Sequence, residues 1–461
     1  MGGFDADLRP ARRVPDGNGA ELRATYDDDV EVRLAEHAHR TALRRSDHRL
    51  GRLLFLLTVV GPGILVMIAD NDAGGVITYA QTGAAYGIGF FIPALVLGGG
   101  IAYLVQEMTV RLGAVTHRGH AEMIWGRYGS AWGWFSLADL VLANLLTLIT
   151  EFIGITVGMS VFGVSPWISA VLGVAVDAGI LLILRYRPWE RVALWIAVGN
   201  LVFVPLALMA HPHWSTVAAA FGRWTIPGGF TAAFLFVVLA NFGTTIAPWM
   251  LFFQQSAVVD KGLTVDEVRH GQLDTALGAL AMVLVAVAIV VLTGTLVFGR
   301  AGASNFDIQQ LIQILGQRLG PTGQRLFALG LVEAGTIAAI ALTASTSWAM
   351  GEAFGWPRSI NLPARQAWRF YVPGLLSAVV AAAIVLIPQA PLGFLNLTVQ
   401  VVASIFMPAA MLFLLLLLND RQIMGAYVNR RWQNVVAIGI VGVLVVLNAL
   451  YGLSVVLPGA V

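Results

Sequence analysis

Cysteine is absent from this chain, which excludes disulfides, thiolate metal sites and cysteine nucleophiles. Charge is scarce too. Asp, Glu, Lys and Arg make up 12% of 461 residues and nearly cancel, leaving a formal charge of +2. That balance argues against a nucleic-acid partner, which demands a dense basic surface. No His-Glu-x-x-His, nucleotide loop or supported Ser-His-Asp arrangement is present. Gly89 and Gly98-Gly99-Gly100 follow no strand, so they read as close helix packing rather than phosphate loops. An enzyme is not expected, and no cofactor is called for.

What is plentiful is apolar sequence. A hydrophobic share of 57% and a mean hydropathy of +0.77 place the chain among all-α polytopic membrane proteins. Runs of about 20 apolar residues, enough to cross a bilayer, recur about eleven times. They lie near 53–88, 90–112, 133–162, 166–184, 191–210, 230–258, 273–298, 323–351, 371–388, 392–418 and 434–456.

The connectors after even-numbered spans hold Arg118 and Arg127; Arg185, Arg187 and Arg191; Lys261 and Arg269; Arg358, Arg365 and Arg369; Arg421, Arg430 and Arg431. The opposite connectors hold only Arg223, Arg300, Arg318 and Arg325. By the positive-inside rule the N-terminus and the basic connectors face the cytoplasm, and an odd span count leaves the C-terminus outside. The expected location is a plasma membrane, with the bilayer as the partner. Nothing in the sequence sets an oligomeric state, and a monomer accommodates it.

Residues 1–52 mix Arg with acids and carry almost no aromatic side chains. They read as a disordered cytoplasmic leader with a short helix over 30–45, and no cleavable signal peptide is expected. The His37 and His39 pair in this leader lacks an acid cage and reads as solvated.

Two acids interrupt the first span. Asp70-Asn71-Asp72-Ala73-Gly74-Gly75 sits between GPGILVMIA and VITYAQTGAAYG. An ionised Asp at the centre of an inserted helix costs about 2.5–3.5 kcal/mol, and each Gly costs about 1 kcal/mol in a helix interior. Polar backbone at that depth needs water or a ligand, so an ion site is the leading explanation. Five spans later Asn241-Phe242-Gly243-Thr244-Thr245-Ile246-Ala247-Pro248-Trp249 breaks a second run. Pro248 removes an N–H and clashes with the preceding turn. Broken helices at matching places in two five-span halves point to an inverted-repeat transporter, spans 1–5 (53–210) against spans 6–10 (230–418), with 434–456 as an extra helix.

These segments resemble the natural resistance-associated macrophage protein (NRAMP) family of divalent-metal transporters. The likeness extends to RLGAVTHRG after span 2, EFIGITVG in span 3, FGTTIAPWMLFFQQSAVVDKG in span 6 and LNLTVQVVASIFMP in span 10. It implies a LeuT-like inverted repeat over 53–456. Typical members carry Asp-Pro-Gly-Asn in the first span and Met-Pro-His in the sixth. Here the Asp is kept as Asp72, the Pro is Ala73, the Asn is Gly75, the Met is Ala247 and the His is Trp249. Backbone carbonyls used by the family match Ala69 and Thr244, and its tenth-span Gln matches Gln400. The altered set is similar to the NRAMP-related magnesium transporters, a branch accepting Mg²⁺ as well as Mn²⁺.

The chemistry agrees with that branch. A thioether favours transition metals, whereas a set of oxygens suits hard cations. Asp72, carbonyls near Ala69 and Thr244, the Thr244 and Thr245 hydroxyls and the Gln400 amide are all oxygen donors, and Asn71 is a candidate for the amide that Gly75 lacks. Gly75 and Ala247 enlarge the space, so the expected cargo is Mg²⁺ that keeps several waters. Asp70 and Glu333 are candidates for the pathway.

Family members move protons with the metal. Glu151 matches their span-3 Glu, but the neighbouring Asp is Leu148 and the span-6 His is Trp249. Without a group titrating near neutrality, transport uncoupled from protons is expected. Three alternatives stand beside this reading: a proton-coupled Mn²⁺ or transition-metal importer, a sodium-coupled small-solute symporter of the same fold, and a non-transporting metal sensor. The Asp72 carboxylate would repel an amino acid's own carboxylate, which disfavours the symporter.

Overall fold

A computed structural model describes residues 61–300 and 308–457, which are helical without strands. The leader at 1–52, its expected helix at 30–45, the His37–His39 pair and positions 53–60 lie outside the described residues.

The first span is two helices, α1 (Pro62–Ala69) and α2 (Ala73–Tyr86), and the second is α3 (Phe91–Thr116). A short α4 (His120–Tyr128) leads into the third and fourth spans, α5 (Ser130–Ser160) and α6 (Pro166–Ile183). The fifth comprises α7 (Tyr186–Val198), a 3-10 turn (Gly199–Val202) and α8 (Phe203–Met209). After α9 (Trp214–Arg223), the sixth span is again divided, into α10 (Ala232–Thr245) and α11 (Pro248–Asp260). Spans seven to ten are α12 (Val268–Leu296), α13 (Ile308–Phe354), α14 (Trp368–Val385) and α15 (Leu392–Asn419). A single turn, α16 (Arg421–Met424), precedes the eleventh span, α17 (Arg431–Val456). Ten of these spans are long and apolar enough to cross a bilayer, and the halved first span is the eleventh.

Local chemistry explains the ends. Thr231 caps α10 by accepting from the Phe234 N–H at 3.2 Å. Ser165 does the same for α6, with Pro166 at the first helical position, where its missing N–H costs nothing. No side chain of the preceding residue, Gly61, caps α1. Asp274, from the seventh span, takes over this task. Its carboxylate accepts from the N–H groups of Gly61 (3.1 Å) and Gly63 (2.7 Å), so the orphan donors at the start of α1 are met from another helix.

Three features depart from the sequence expectation. The fifth span starts at Tyr186 and tightens into a 3-10 turn at Gly199–Val202. In α13 Gly320 adopts φ 76°, ψ 178° just before Pro321, so the crossing begins there and the preceding turns form an approach helix. The α9 helix is an added surface element, with Trp214 and Phe221 exposed.

The connectors after the even spans gather on one face, as the charge pattern requires. Arg358 pairs with Glu122, Arg127 pairs with Asp420 at 2.7 Å, and Lys261 pairs with Glu190 at 2.9 Å. The sixth span is central, with 83% of its apolar window buried, against 22% for α6 and 17% for α17. The breaks therefore lie in the interior, away from lipid.

Candidate ion site at the two helix breaks

At the first break the chain leaves the helix for three residues. Asp70 follows the last turn of α1, and Asp72 is extended at φ −63°, ψ 171°. The Asp72 carboxylate accepts from the Gly75 N–H. Glu151 of α5 accepts from the Ala73 N–H at 2.8 Å. Two carboxylates thus satisfy the free donors of the half-helix and sit at the positive end of its dipole. At the second break Ile246 and Ala247 are extended, and Pro248 opens α11.

Small residues bring the breaks together. The point one bond out from Gly75 Cα, where any other residue carries its Cβ, lies 2.8 Å from Thr244 Oγ1, 3.1 Å from Asp72 Oδ1 and 3.2 Å from the Asp70 carbonyl oxygen. A hydroxyl, a carboxylate and a carbonyl therefore converge on one spot. Gly74 has no room for a Cβ against the Gln400 amide nitrogen and the Thr150 hydroxyl, nor does Gly243 against the Gln400 carbonyl. Asn396, one turn before Gln400, donates to the Gly74 carbonyl at 3.1 Å and fastens α15 to α2. Thr244 Oγ1, Gln400 Nε2 and both Asp70 carboxylate oxygens are buried without a hydrogen-bond partner. Buried polar atoms are rarely left unmatched. Such a cluster marks a place that water or a cation completes.

Of the residues expected from the sequence, Asp72, Thr244 and Gln400 meet around Gly74 and Gly75. The Asn71 amide nitrogen donates to the Met282 carbonyl of α12 at 3.0 Å, and its Oδ1 is buried without a hydrogen-bond partner. The Thr245 hydroxyl donates its hydrogen to the Asn241 carbonyl at 2.7 Å, which leaves its oxygen lone pairs as acceptors. Ala69 is buried in the last turn of α1, but the carbonyl at the convergence point belongs to Asp70. Ala247 stands in the second break, and Trp249 is buried against Phe253. Leu148 is buried in α5, three residues before Glu151.

Glu333 lies elsewhere. Its side chain packs on Gly199 in the 3-10 turn of the fifth span. Two other buried acids have structural partners. Thr343 donates to Asp177 at 2.8 Å, and Glu107 pairs with Arg111 at 3.1 Å. Among the described residues no group of three or more His, Asp or Glu could hold a metal. Neutral oxygens must supply most of any coordination. Sequence reasoning missed Tyr79, whose hydroxyl lies 3.1 Å from Thr245 Oγ1, and Asn396. Both leave a signal: Tyr79 stands two turns beyond Asp72, and Asn396 one turn before Gln400 in an apolar run.

The described family model for natural resistance-associated macrophage protein-like proteins matches residues 63–454. The chain belongs to this family. Among its relatives, a divalent metal cation transporter (MntH) of Xylella fastidiosa is 27% identical over 407 residues, covering 85% of this chain and 84% of that one. A divalent metal cation transporter (MntH) of Lacticaseibacillus casei is 28% identical over 429 residues, covering 87% and 90%. A solved mutant of the Eremococcus coleocola manganese transporter superposes with a TM-score of 0.72 over 90% of each chain, at 21% identity. Mhp1, a nucleobase-cation-symport-1 family transporter, gives 0.53 at 16% identity, over 85% of this chain and 91% of its own. These two share the fold with this NRAMP-family chain, an inverted-repeat bundle with broken first and sixth helices. The chain is a multi-pass membrane protein.

Proposed function

We propose that this NRAMP-family chain is a secondary carrier, not an enzyme, that imports divalent metal ions, Mg²⁺ first and Mn²⁺ also, without moving protons. One observation carries the reading. The Thr244 hydroxyl, the Asp72 carboxylate and the Asp70 carbonyl converge beside Gly75, while the neighbouring break offers Ala247 in place of a thioether. An all-oxygen set with one carboxylate suits a hard cation that parts reluctantly with water. Gln400 adds an amide from α15, and Gly75 and Ala247 bring no side-chain ligand that would displace the ion's waters. The relatives named as divalent metal cation transporters support the cargo class.

Uncoupled movement is supported by the side chains around the site. Leu148 and Trp249 carry no titratable group, and Glu151 is engaged at the start of α2. The basic connectors and the N-terminus face the cytoplasm of a plasma membrane, and the C-terminus lies outside, by the positive-inside rule. A second reading, a proton-coupled Mn²⁺ importer, is favoured by the retained Glu151 and by the manganese transporter among the structural neighbours.

Proteoliposomes test both readings. Mg²⁺ should compete with Mn²⁺ for uptake, and neither should acidify the lumen. Metal-driven acidification would establish the second reading, and indifference to Mg²⁺ would refute the first.

A further inference from the structure

A second cavity lies away from the ion site, beneath α9, on the membrane face opposite the basic connectors. Its volume is about 390 Å³. On one side stand Thr216, Val217, Ala220 and Arg223, which share a face of α9. Across from them are Tyr86, the last residue of α2, and Phe298, just beyond α12. Ala220 is the one buried residue of α9, so this helix stands off the bundle rather than packing on it. Its opposite face carries Trp214 and Phe221, 59% and 49% exposed. Aromatic side chains so placed seek the headgroup region. The cavity therefore opens at the boundary of lipid and water.

The lining selects the guest. No Asp or Glu borders the cavity, so a metal cation finds no anionic ligand there. The one full charge is Arg223, which forms no ion pair among the described residues. Thr225, two residues on, adds a hydroxyl to the same end. The rest of the lining is mostly apolar. A face of ten residues extends ~15 Å, and the volume lies at the low end for small-molecule sites. Such a groove suits one acyl chain with an anionic head, not the two chains of a phospholipid.

We propose that this groove binds a medium-chain carboxylate, its head on Arg223 and Thr225 and its chain along Val217, Ala220 and Phe298. The site is separate from the metal site but coupled to it by the chain. Tyr86 ends the half-helix that starts at Ala73, beside the ion site. A ligand wedged between α9 and α2 restrains that half-helix, so occupancy slows metal uptake.

The test uses the full chain in proteoliposomes of a zwitterionic phospholipid, irradiated with a decanoate that carries a terminal diazirine. Label should appear on α9 or around Tyr86 and Phe298, and decanoate should protect against it. Arg223→Gln should weaken that protection about fivefold, the reach of a solvent-exposed ion pair. Decylamine, of equal length and opposite charge, should protect at least about fivefold less well. Ala220→Trp fills the groove and should abolish the label while leaving metal uptake intact. Decanoate should slow Mn²⁺ uptake by the wild type and not by Ala220→Trp. Equal protection by decylamine, or unchanged protection in Arg223→Gln, overturns the site. Stronger protection by a lysophospholipid overturns the carboxylate assignment in favour of a lipid headgroup. Should Ala220→Trp fail to fold, the wild type and Arg223→Gln still decide. Labelling requires no transport, so its outcome stands apart from that of the metal-transport reading.

Discussion

The two breaks solve the same backbone problem with opposite materials. In the first span the gap is three polar residues, and the exposed helix start is closed by the carboxylates of Asp72 and Glu151. In the sixth the gap is Ile246 and Ala247, closed by Pro248, which has no N–H to satisfy. The first break contributes charge, and the second contributes shape and one neutral hydroxyl from Thr244. On the metal-transport reading proposed above, a cation held between them would be attracted mainly from the first span, with the sixth shaping the space around it.

Substitutions can break that division. The largest effect is expected at Asp72→Ala, with Mg²⁺ and Mn²⁺ affinity falling at least about tenfold in equilibrium binding. Nearly as large is Gly75→Ala. It adds no charge, yet its methyl occupies the spot 2.8 Å from Thr244 Oγ1 and 3.1 Å from Asp72 Oδ1. Uptake should collapse and the melting temperature should fall, because the added methyl would force Thr244 and the first break to shift. If uptake survives, ions do not pass through that point.

Ala247→Met tests the shape half alone. A thioether in the second break should shift competition toward Cd²⁺ and Mn²⁺ by several-fold and weaken Mg²⁺ uptake. An unchanged order of preference would mean that Ala247 does not face the ion.

The smallest effect concerns the far half of the sixth span. His120, on α4 outside the spans, meets Gln255 of α11 at 2.7 Å. Burial pushes its pKa down from 6.5 to about 4, against the opposing pull of that hydrogen bond. A histidine that protonates less readily when folded contributes full stability above about pH 6.5 and loses it as the pH falls toward 4. Thermal unfolding in detergent should therefore worsen between pH 7 and pH 5, and His120→Gln should flatten that slope. An identical slope in the variant would remove His120 from the account.

The span pattern and both breaks were legible because they rest on local composition. Apolar length, Gly pairs and Pro248 act on the chain within a turn or two. Asp72 was legible as a charge where charge is expensive. Contacts between distant parts of the chain were not. The closure of α1 by Asp274 joins residues 213 positions apart, and nothing in either neighbourhood announces it. The same holds for the bond from the Asn71 amide nitrogen to the Met282 carbonyl, 211 positions away. The contact between Glu333, a candidate for the pathway, and Gly199 of the fifth span is another that joins distant parts of the chain. The tightening of the fifth span at Gly199–Val202 leaves the apolar pattern intact, so hydropathy does not register it.

The most direct measurement is anomalous diffraction from crystals of the protein soaked in Mn²⁺. A single interior peak beside Gly75, between the Asp72 carboxylate and the Thr244 hydroxyl, is the predicted result. A peak away from the two breaks, or one in direct contact with Glu333 on the fifth-span side, would contradict the account.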